Sequence, residues 1–241
     1  SYNDNYYVMK KVEGELLSEI YEHGEIKSLL NWSKKNLWIQ NDKYNSNFKK
    51  ICYKFYYNKT IDRIEQYMNN HSNFEFDIIN NINIGKLKNL IKKIDFDHLC
   101  DNKPYKYHGD FILDNILKTD NGYCLLDWRQ DFGGDIKNGD IYYDLSKLRH
   151  NIIFNHKNVE NGLFSIEKIN SNKCNIDIKC NYVLINQLED YENFIKNNNL
   201  DIKKIEILTS LIWINMAPLH EYKVSEFLFH FGKYNLFINL Q

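Results

Sequence analysis

The sequence predicts an α+β chain, mainly helical, with a β-hairpin inserted near its middle. Three observations predict it. Apolar residues recur at helical spacing through most of the 241 residues. Two stretches break that rhythm and alternate around turn signals, "NILKTDNGYCLLD" and residues 162–180. No internal repeat or flexible linker divides the chain.

Taken in order, Tyr6 to Val12 ("YYVMKKV") reads as a strand that Gly14 ends. Glu25 to Ile39 reads as a helix burying Ile26, Leu29, Leu30 and Leu37, with Trp32 among them. A longer helix is expected from about Asn45 to Asn69, with Phe48, Cys52, Phe55, Ile61, Ile64 and Met68 on its buried face. "NNINIGKLKNLIKKID" reads as a loop and then a short helix. "YKYHGD" follows Pro104 as a short strand entering a loop. The central hairpin turns around Asp120-Asn121-Gly122. Asp140 is placed as the N-cap of a helix whose stripe is Ile141, Leu145, Leu148, Ile152 and Ile153. A second hairpin around "NSNK" follows, within 162–180. Three helices then fill 182–240, broken near Asn197–Asn199 and at Pro218.

Composition excludes several classes of function. Apolar residues make up 43% and aromatics 15%, which suits a packed core rather than disorder. A formal net charge of −1 argues against nucleic acid held by bulk electrostatics, and no apolar run approaches a membrane span. Five scattered cysteines with no CxxC pair fit reduced thiols and a cytoplasmic setting. Arginine is rare: Arg63, Arg129 and Arg149 stand among 31 basic residues. An arginine kept beside an acidic stretch hints at planar, bidentate binding that lysine does less well.

That acidic stretch is "YHGDFILDNILKTDNGYCLLDWRQDFGGD", residues 107–135. A two-residue Asn-Gly turn puts Asp127 across from Ile116, one step from Asn115; a three-residue loop puts Asp127 opposite Asn115. In either register both side chains lie at one end of the hairpin, and Asp110, five residues before Asn115, can join them. Oxygen ligands from Asp and Asn suit a hard cation such as Mg²⁺, whose remaining ligands come from water and phosphate. A third carboxylate at its edge can take a proton from an attacking hydroxyl. Those are the parts that phosphoryl transfer needs.

At this point the residues carry a family resemblance. "HGDFILDN" resembles the catalytic loop of the aminoglycoside phosphotransferase and choline kinase group, the small-molecule branch of the protein-kinase-like fold. "LLDW" is similar to the metal-binding strand end, and "GDIYYDLSKL" to the helix start that follows it there. The resemblance implies the C-terminal lobe of that fold, with residues 1–13 as hinge strand and linker and 14–241 as the lobe. It implies ATP and Mg²⁺ as cofactors and a small-molecule hydroxyl as acceptor. Asp110 would be the catalytic base and His108 a structural member of its loop. Asn115 and Asp127 would hold Mg²⁺ against the nucleotide, and Asp140 and Asp144 would brace the loop. The backbone of Met9, Lys10 and Lys11 would meet the adenine. Arg129, Gln130 and Asp131 would grip the acceptor. The family's smaller lobe, with its phosphate-covering loop and lysine, has no counterpart before Tyr6, so an upstream lobe is expected.

Two other classes stand beside this reading: a non-catalytic kinase-like docking module, and a metal-dependent hydrolase built on Asp110, Asn115 and Asp127. Protein kinase activity is disfavoured, because only twelve residues separate Asp127 from Asp140 and leave no room for a long activation segment. Acidic and aromatic walls for a cationic acceptor (Glu189, Asp190, Tyr191, Glu192) and amide and ring groups for a sugar (Asn215, Trp213) both exist. The expected acceptor is therefore a sugar, amino alcohol or aminoglycoside-like molecule.

Overall fold

The computed structural model describes residues 11–20, 24–41, 47–179 and 182–241. Its strands are β1 (Glu15–Leu16), β2 (Ile78–Ile79), β3 (Ile82–Asn83), β4 (Ile116–Thr119), β5 (Gly122–Leu125), β6 (Phe164–Asn170) and β7 (Lys173–Ile178). They form two small sheets, ordered β1-β4-β5 and β3-β2-β7-β6. The α-helices are α1 (Glu25–Asn36), α2 (Phe48–Tyr53), α3 (Lys59–Asn70), α4 (Leu87–Ile91), α5 (Phe96–Leu99), α6 (Ile141–Ile153), α7 (His156–Glu160), α8 (Tyr182–Asn197), α9 (Ile202–Met216) and α10 (Tyr222–Asn239). The chain is α+β and mainly helical, as its periodicity predicts.

Helix α6 is the spine. The Asp140 carboxylate caps it, accepting from the Tyr142 amide at 3.0 Å. Its stripe of Ile141, Leu145, Leu148 and Ile152 packs into one apolar core with Leu29 and Leu30 of α1, Ile116 of β4 and Tyr191 of α8. Its opposite side, through Tyr143, joins a larger core that includes Phe55, Phe132, Trp213 of α9 and Phe227 of α10. Because both sides are covered, Asp144, Lys147 and His150 are buried too, and each must find a partner.

The helix expected from Asn45 to Asn69 runs from Phe48 to Asn70, but a π-helical turn, Lys54–Asn58, separates α2 from α3. Such a turn carries an extra residue and resets the phase of the helix. Here it lets adjacent Phe55 and Tyr56 both be buried. Phe55 packs against Phe132 at 4.2 Å between centroids and edge-on to Tyr143, while the Tyr56 hydroxyl donates to Asp140 at 2.7 Å.

Four expectations need correction. No strand covers Lys11 and Val12: β1 starts after Gly14, pairs Leu16 with Leu117 of β4, and residues 6–10 lie outside those described. The "YKYHGD" strand reduces to single bridges of Tyr105 to Gln40 and to Gly139. The loop before α4 contains β2 and β3, with β2 running parallel to β7. In the central hairpin Thr119 pairs with Gly122, so the loop is Asp120–Asn121, neither Asn121–Gly122 nor the three residues 120–122. The Trp32 indole Nε1 lies 2.8 Å from where a Cβ on Gly122 would stand, at φ +119°, so glycine suits this first residue of β5.

Four cysteines, Cys52, Cys100, Cys124 and Cys174, are free thiols, and Cys180 lies outside the described residues. Among the described residues no helix is long and apolar enough to cross a membrane.

One ion pair lies inside the larger core. Lys233 of α10 is fully buried and donates to Glu75 at 2.6 Å and to the Phe76 carbonyl at 2.7 Å. The same carboxylate oxygen accepts the Leu87 amide at 3.0 Å, which opens α4. Glu75→Ala leaves a buried ammonium without its counter-charge, and urea unfolding should show a loss of about 3–5 kcal/mol. A loss below about 1 kcal/mol would mean that water reaches Lys233.

Candidate active site around the His108–Asp110 loop

The loop from Tyr107 to Asn115 crosses the front of α6, and one carboxylate on that helix fixes its path. Asp144, fully buried, accepts the His108 amide at 2.8 Å, the Gly109 amide at 2.7 Å and the Trp38 indole N–H at 3.0 Å. Burial pushes its carboxyl pKa up, and the two backbone amides and the indole oppose that shift. Three N–H donors on two oxygens satisfy the ionised form.

Backbone strain in this loop has a local cause. Gly109 has φ +84°, and a Cβ there would stand 2.4 Å from the Arg129 Cβ and 2.7 Å from the Tyr107 ring. The Arg129 side chain lies across this bare backbone. Its amide donates to the His108 carbonyl at 3.0 Å and its Nε to the Gly109 carbonyl at 3.2 Å.

His108 is fully buried and ties the loop to the hairpin. Its Nε2 donates to the Leu126 carbonyl at 2.6 Å and its Nδ1 accepts the Asp110 amide at 3.2 Å. Both bonds together specify the neutral tautomer with the proton on Nε2. The residue after Leu126 is Asp127, whose φ of +53° ends the strand. A buried imidazole thus couples the backbone before Asp110 to the backbone before Asp127.

Asp110 and Asp127 line one cavity of about 500 Å³ together with Arg129, Gln130 and Asp131. Asn115 does not line it. With the corrected register, Asn115 sits opposite Leu126, whose amide donates to the Asn115 carbonyl at 2.8 Å, and Asp127 lies one step beyond. The Asn115 side chain stands behind Asp110, donating to its carboxylate at 3.1 Å and to its carbonyl at 3.0 Å. The structure therefore bonds Asp110 to Asn115, sets Asp110 and Asp127 on the wall of one cavity, and links Asn115 with Asp127 through the backbone pair at Leu126.

The other expected residues divide. Asp131 accepts the Gly134 amide at 2.8 Å and shapes a turn, with the cavity on its other side. Asp140 does not touch the loop. It holds the Tyr56 hydroxyl and, at 2.6 Å, the amide of Asn102, whose own oxygen accepts Lys204 Nζ. Lys11 is exposed, in an ion pair with Glu13 at 2.9 Å, and the expected adenine contacts Met9 and Lys10 lie outside the described residues.

Sequence reasoning singled out Arg129 but missed the lysines. Lys147 of α6 pairs with Asp110 at 2.7 Å. Burial pushes the Asp110 carboxyl up, but the charge and hydrogen bond of Lys147 outweigh burial and hold it below the ordinary aspartate value. The signal was present in the sequence: Lys147 is three residues beyond Asp144 on the same helical face, inside an apolar stripe. Lys59, Arg63 and Tyr143 also line the cavity, and nothing local in the sequence marks them. Among the described residues no group of three or more His, Cys, Asp and Glu side chains gathers as a metal site.

The chain was compared with family models, with curated proteins and with solved structures, and none of them matches it.

The Asp140 cap yields a pH prediction. Burial raises its carboxyl to about 6, against the opposing bonds from Tyr56 and the Tyr142 amide. The unfolded chain gives up this proton near pH 4. Between those values the folded state binds the extra proton, so this group's stabilisation is present at low pH and lost as pH rises to about 6. The stability of the wild type relative to Asp140→Asn should fall by roughly 2 kcal/mol from pH 4 to pH 6. A pH-independent difference in denaturant melts would show that Asp140 is ionised throughout.

Proposed function

We propose that this site transfers the γ-phosphoryl group of Mg-ATP to a hydroxyl of a small molecule. The observation that carries the reading is the His108 bridge. It fixes Asp110 and Asp127, on either side of the hairpin, to a single cavity. The ordered motifs "HGDFILDN", "LLDW" and "GDIYYDLSKL" support it, because each supplies a piece of that geometry.

Asp110 is the base. Lys147 keeps it ionised at neutral pH, and Asn115 holds one of its oxygens in place. As the new P–O bond forms and the bond to the departing ADP breaks, the acceptor's hydroxyl proton passes to the carboxylate. Asp127, a carboxylate on the cavity wall with no partner among the described residues, would hold the hard cation; Asn115 lies off that wall with its amide N–H₂ on Asp110, so its share in the metal pair rests on the motif resemblance. Mg²⁺ held there would offset the charge of the phosphates. Asp144 takes no part in the chemistry; it keeps the loop amides paired and Asp110 in position. A lobe covering the nucleotide belongs to this reading, as do the hinge contacts of Met9, Lys10 and Lys11.

The test uses the full-length protein, labelled ATP, and a panel of sugars, amino alcohols and aminoglycosides. Asp110→Asn should lower kcat by about 10²–10⁴ with nucleotide affinity kept. Asp127→Asn should weaken Mg-ATP binding itself. Turnover unchanged in Asp110→Asn would sink the reading. Lys147→Met gives an independent check. With the ammonium gone, only the weaker influences of His150 and Arg129 oppose burial at Asp110, so the acid limb of the rate profile should move to higher pH by about one unit or more. An unmoved limb would remove Asp110 from the role of base.

A further inference from the structure

The cavity wall carries four cations, Lys59, Arg63, Arg129 and Lys147, against three carboxylates, Asp110, Asp127 and Asp131. Pairing does not consume them evenly. Lys147 is neutralised by Asp110, and the Asp131 carboxylate is turned to the Gly134 amide. Lys59 and Arg129 have no carboxylate partner among the described residues. They share two aromatic faces instead: Lys59 Nζ lies 4.5 Å from the Phe55 centroid and 5.8 Å from that of Tyr143, and the Arg129 guanidinium carbon 5.3 Å and 5.8 Å from the same rings. Among the described residues Arg63 is hydrogen-bonded to Gln66, at 2.8 Å, and to no carboxylate.

Two positive groups held against the same pair of rings repel each other, and partial burial raises the cost. Cation–π attraction offsets part of it. The neighbouring phenol senses the charge. Tyr143 is buried, which pushes a phenol's pKa up, yet Lys59, Arg129 and Lys147 outweigh burial and bring it below the ordinary tyrosine value. Burial pulls Lys59 down, and Arg129 and Lys147 pull it further against the opposing influence of Tyr143. A cavity so arranged lacks an anion.

We infer that the hydroxyl acceptor of this site carries an anionic group, a phosphate or a carboxylate, bound between Lys59 and Arg129 with Arg63 at the rim. This rests on the phosphotransfer reading and narrows it. Of the acceptors open from sequence, aminoglycosides and amino alcohols bring a positive charge into a cleft already too positive, while a sugar phosphate or sugar acid completes it. Arg129 offers the planar fork suited to such an oxyanion, and Lys59 the compact charge. The nucleotide's own phosphates are the competing source of negative charge, and the experiment separates the two.

Binding of inorganic phosphate is measured by calorimetry in the full-length protein at constant ionic strength, with and without saturating magnesium and a non-hydrolysable ATP analogue. Phosphate should bind in both conditions. Lys59→Gln and Arg129→Gln should each weaken it by about tenfold, and Lys59→Arg should restore most of the affinity. Thermal melts in chloride identify any variant that has lost its fold, and Lys59→Arg then carries the comparison. Failure to bind phosphate, or its displacement by the nucleotide analogue, would overturn the inference. A protein that binds phosphate through Lys59 but binds no nucleotide would sink the kinase reading and leave the anion site standing. Asp110-dependent turnover of a neutral or aminated acceptor in preference to its phosphate ester would do the reverse.

Discussion

Everything in the proposed site depends on one buried carboxylate. Asp144 takes two consecutive amides of the loop and the indole N–H of Trp38, so a single side chain on α6 joins the loop before Asp110 to the segment after α1. Backbone amides in a dry interior need acceptors, and no regular sheet is available to supply them here. Without Asp144, His108 would lose its position, and the imidazole bridge to Leu126 would go with it. The order of dependence runs from α6 to the loop, from the loop to His108, and from His108 to Asp127.

The charges form a second layer of organisation. Helix α6 and its cap face apolar cores on both sides, and three of the charges they bury have assigned partners: Asp144 with amides, Lys147 with Asp110, Asp140 with Tyr56 and Asn102. Partial burial weakens solvent screening of such pairs, so they set protonation states as well as shape. Lysine inside the helix that carries the loop's clamp makes the state of Asp110 a property of the scaffold.

Much of this was legible in the chain. Periodicity placed α6, α9 and α10, and Pro218 and the asparagines at 197–199 marked their breaks, because those signals are local. The turn chemistry at 120–122 located the hairpin but missed its register, by two residues for the Asn-Gly turn and by one for the three-residue loop, because turn residues alone leave the pairing open. The proximity of Asp110 to Asn115 followed from their spacing. Lys59 and Arg129 did not, because they meet only through Phe55 and Tyr143, which come from different helices. The bridges at Tyr105 were overread as a strand because apolar alternation cannot report how long a pairing lasts. The small helix α7 was missed although Asn155 and Asn158 form a reciprocal capping box at its start.

The π-helical turn at Lys54–Asn58 gives the cavity an unusual sensitivity. Each residue advances a helix by about 100°, and this turn is where α2 and α3 are brought into different phase. Phe55 and Tyr56 within the turn, and Lys59 just after it, all reach the region of Phe132, Tyr143 and Asp140 across that offset. Chain length, rather than the chemical identity of any side chain, is therefore what brings the ammonium to the cleft. A one-residue deletion in this turn would swing Lys59 out of alignment with the cavity while leaving every functional group in the sequence intact.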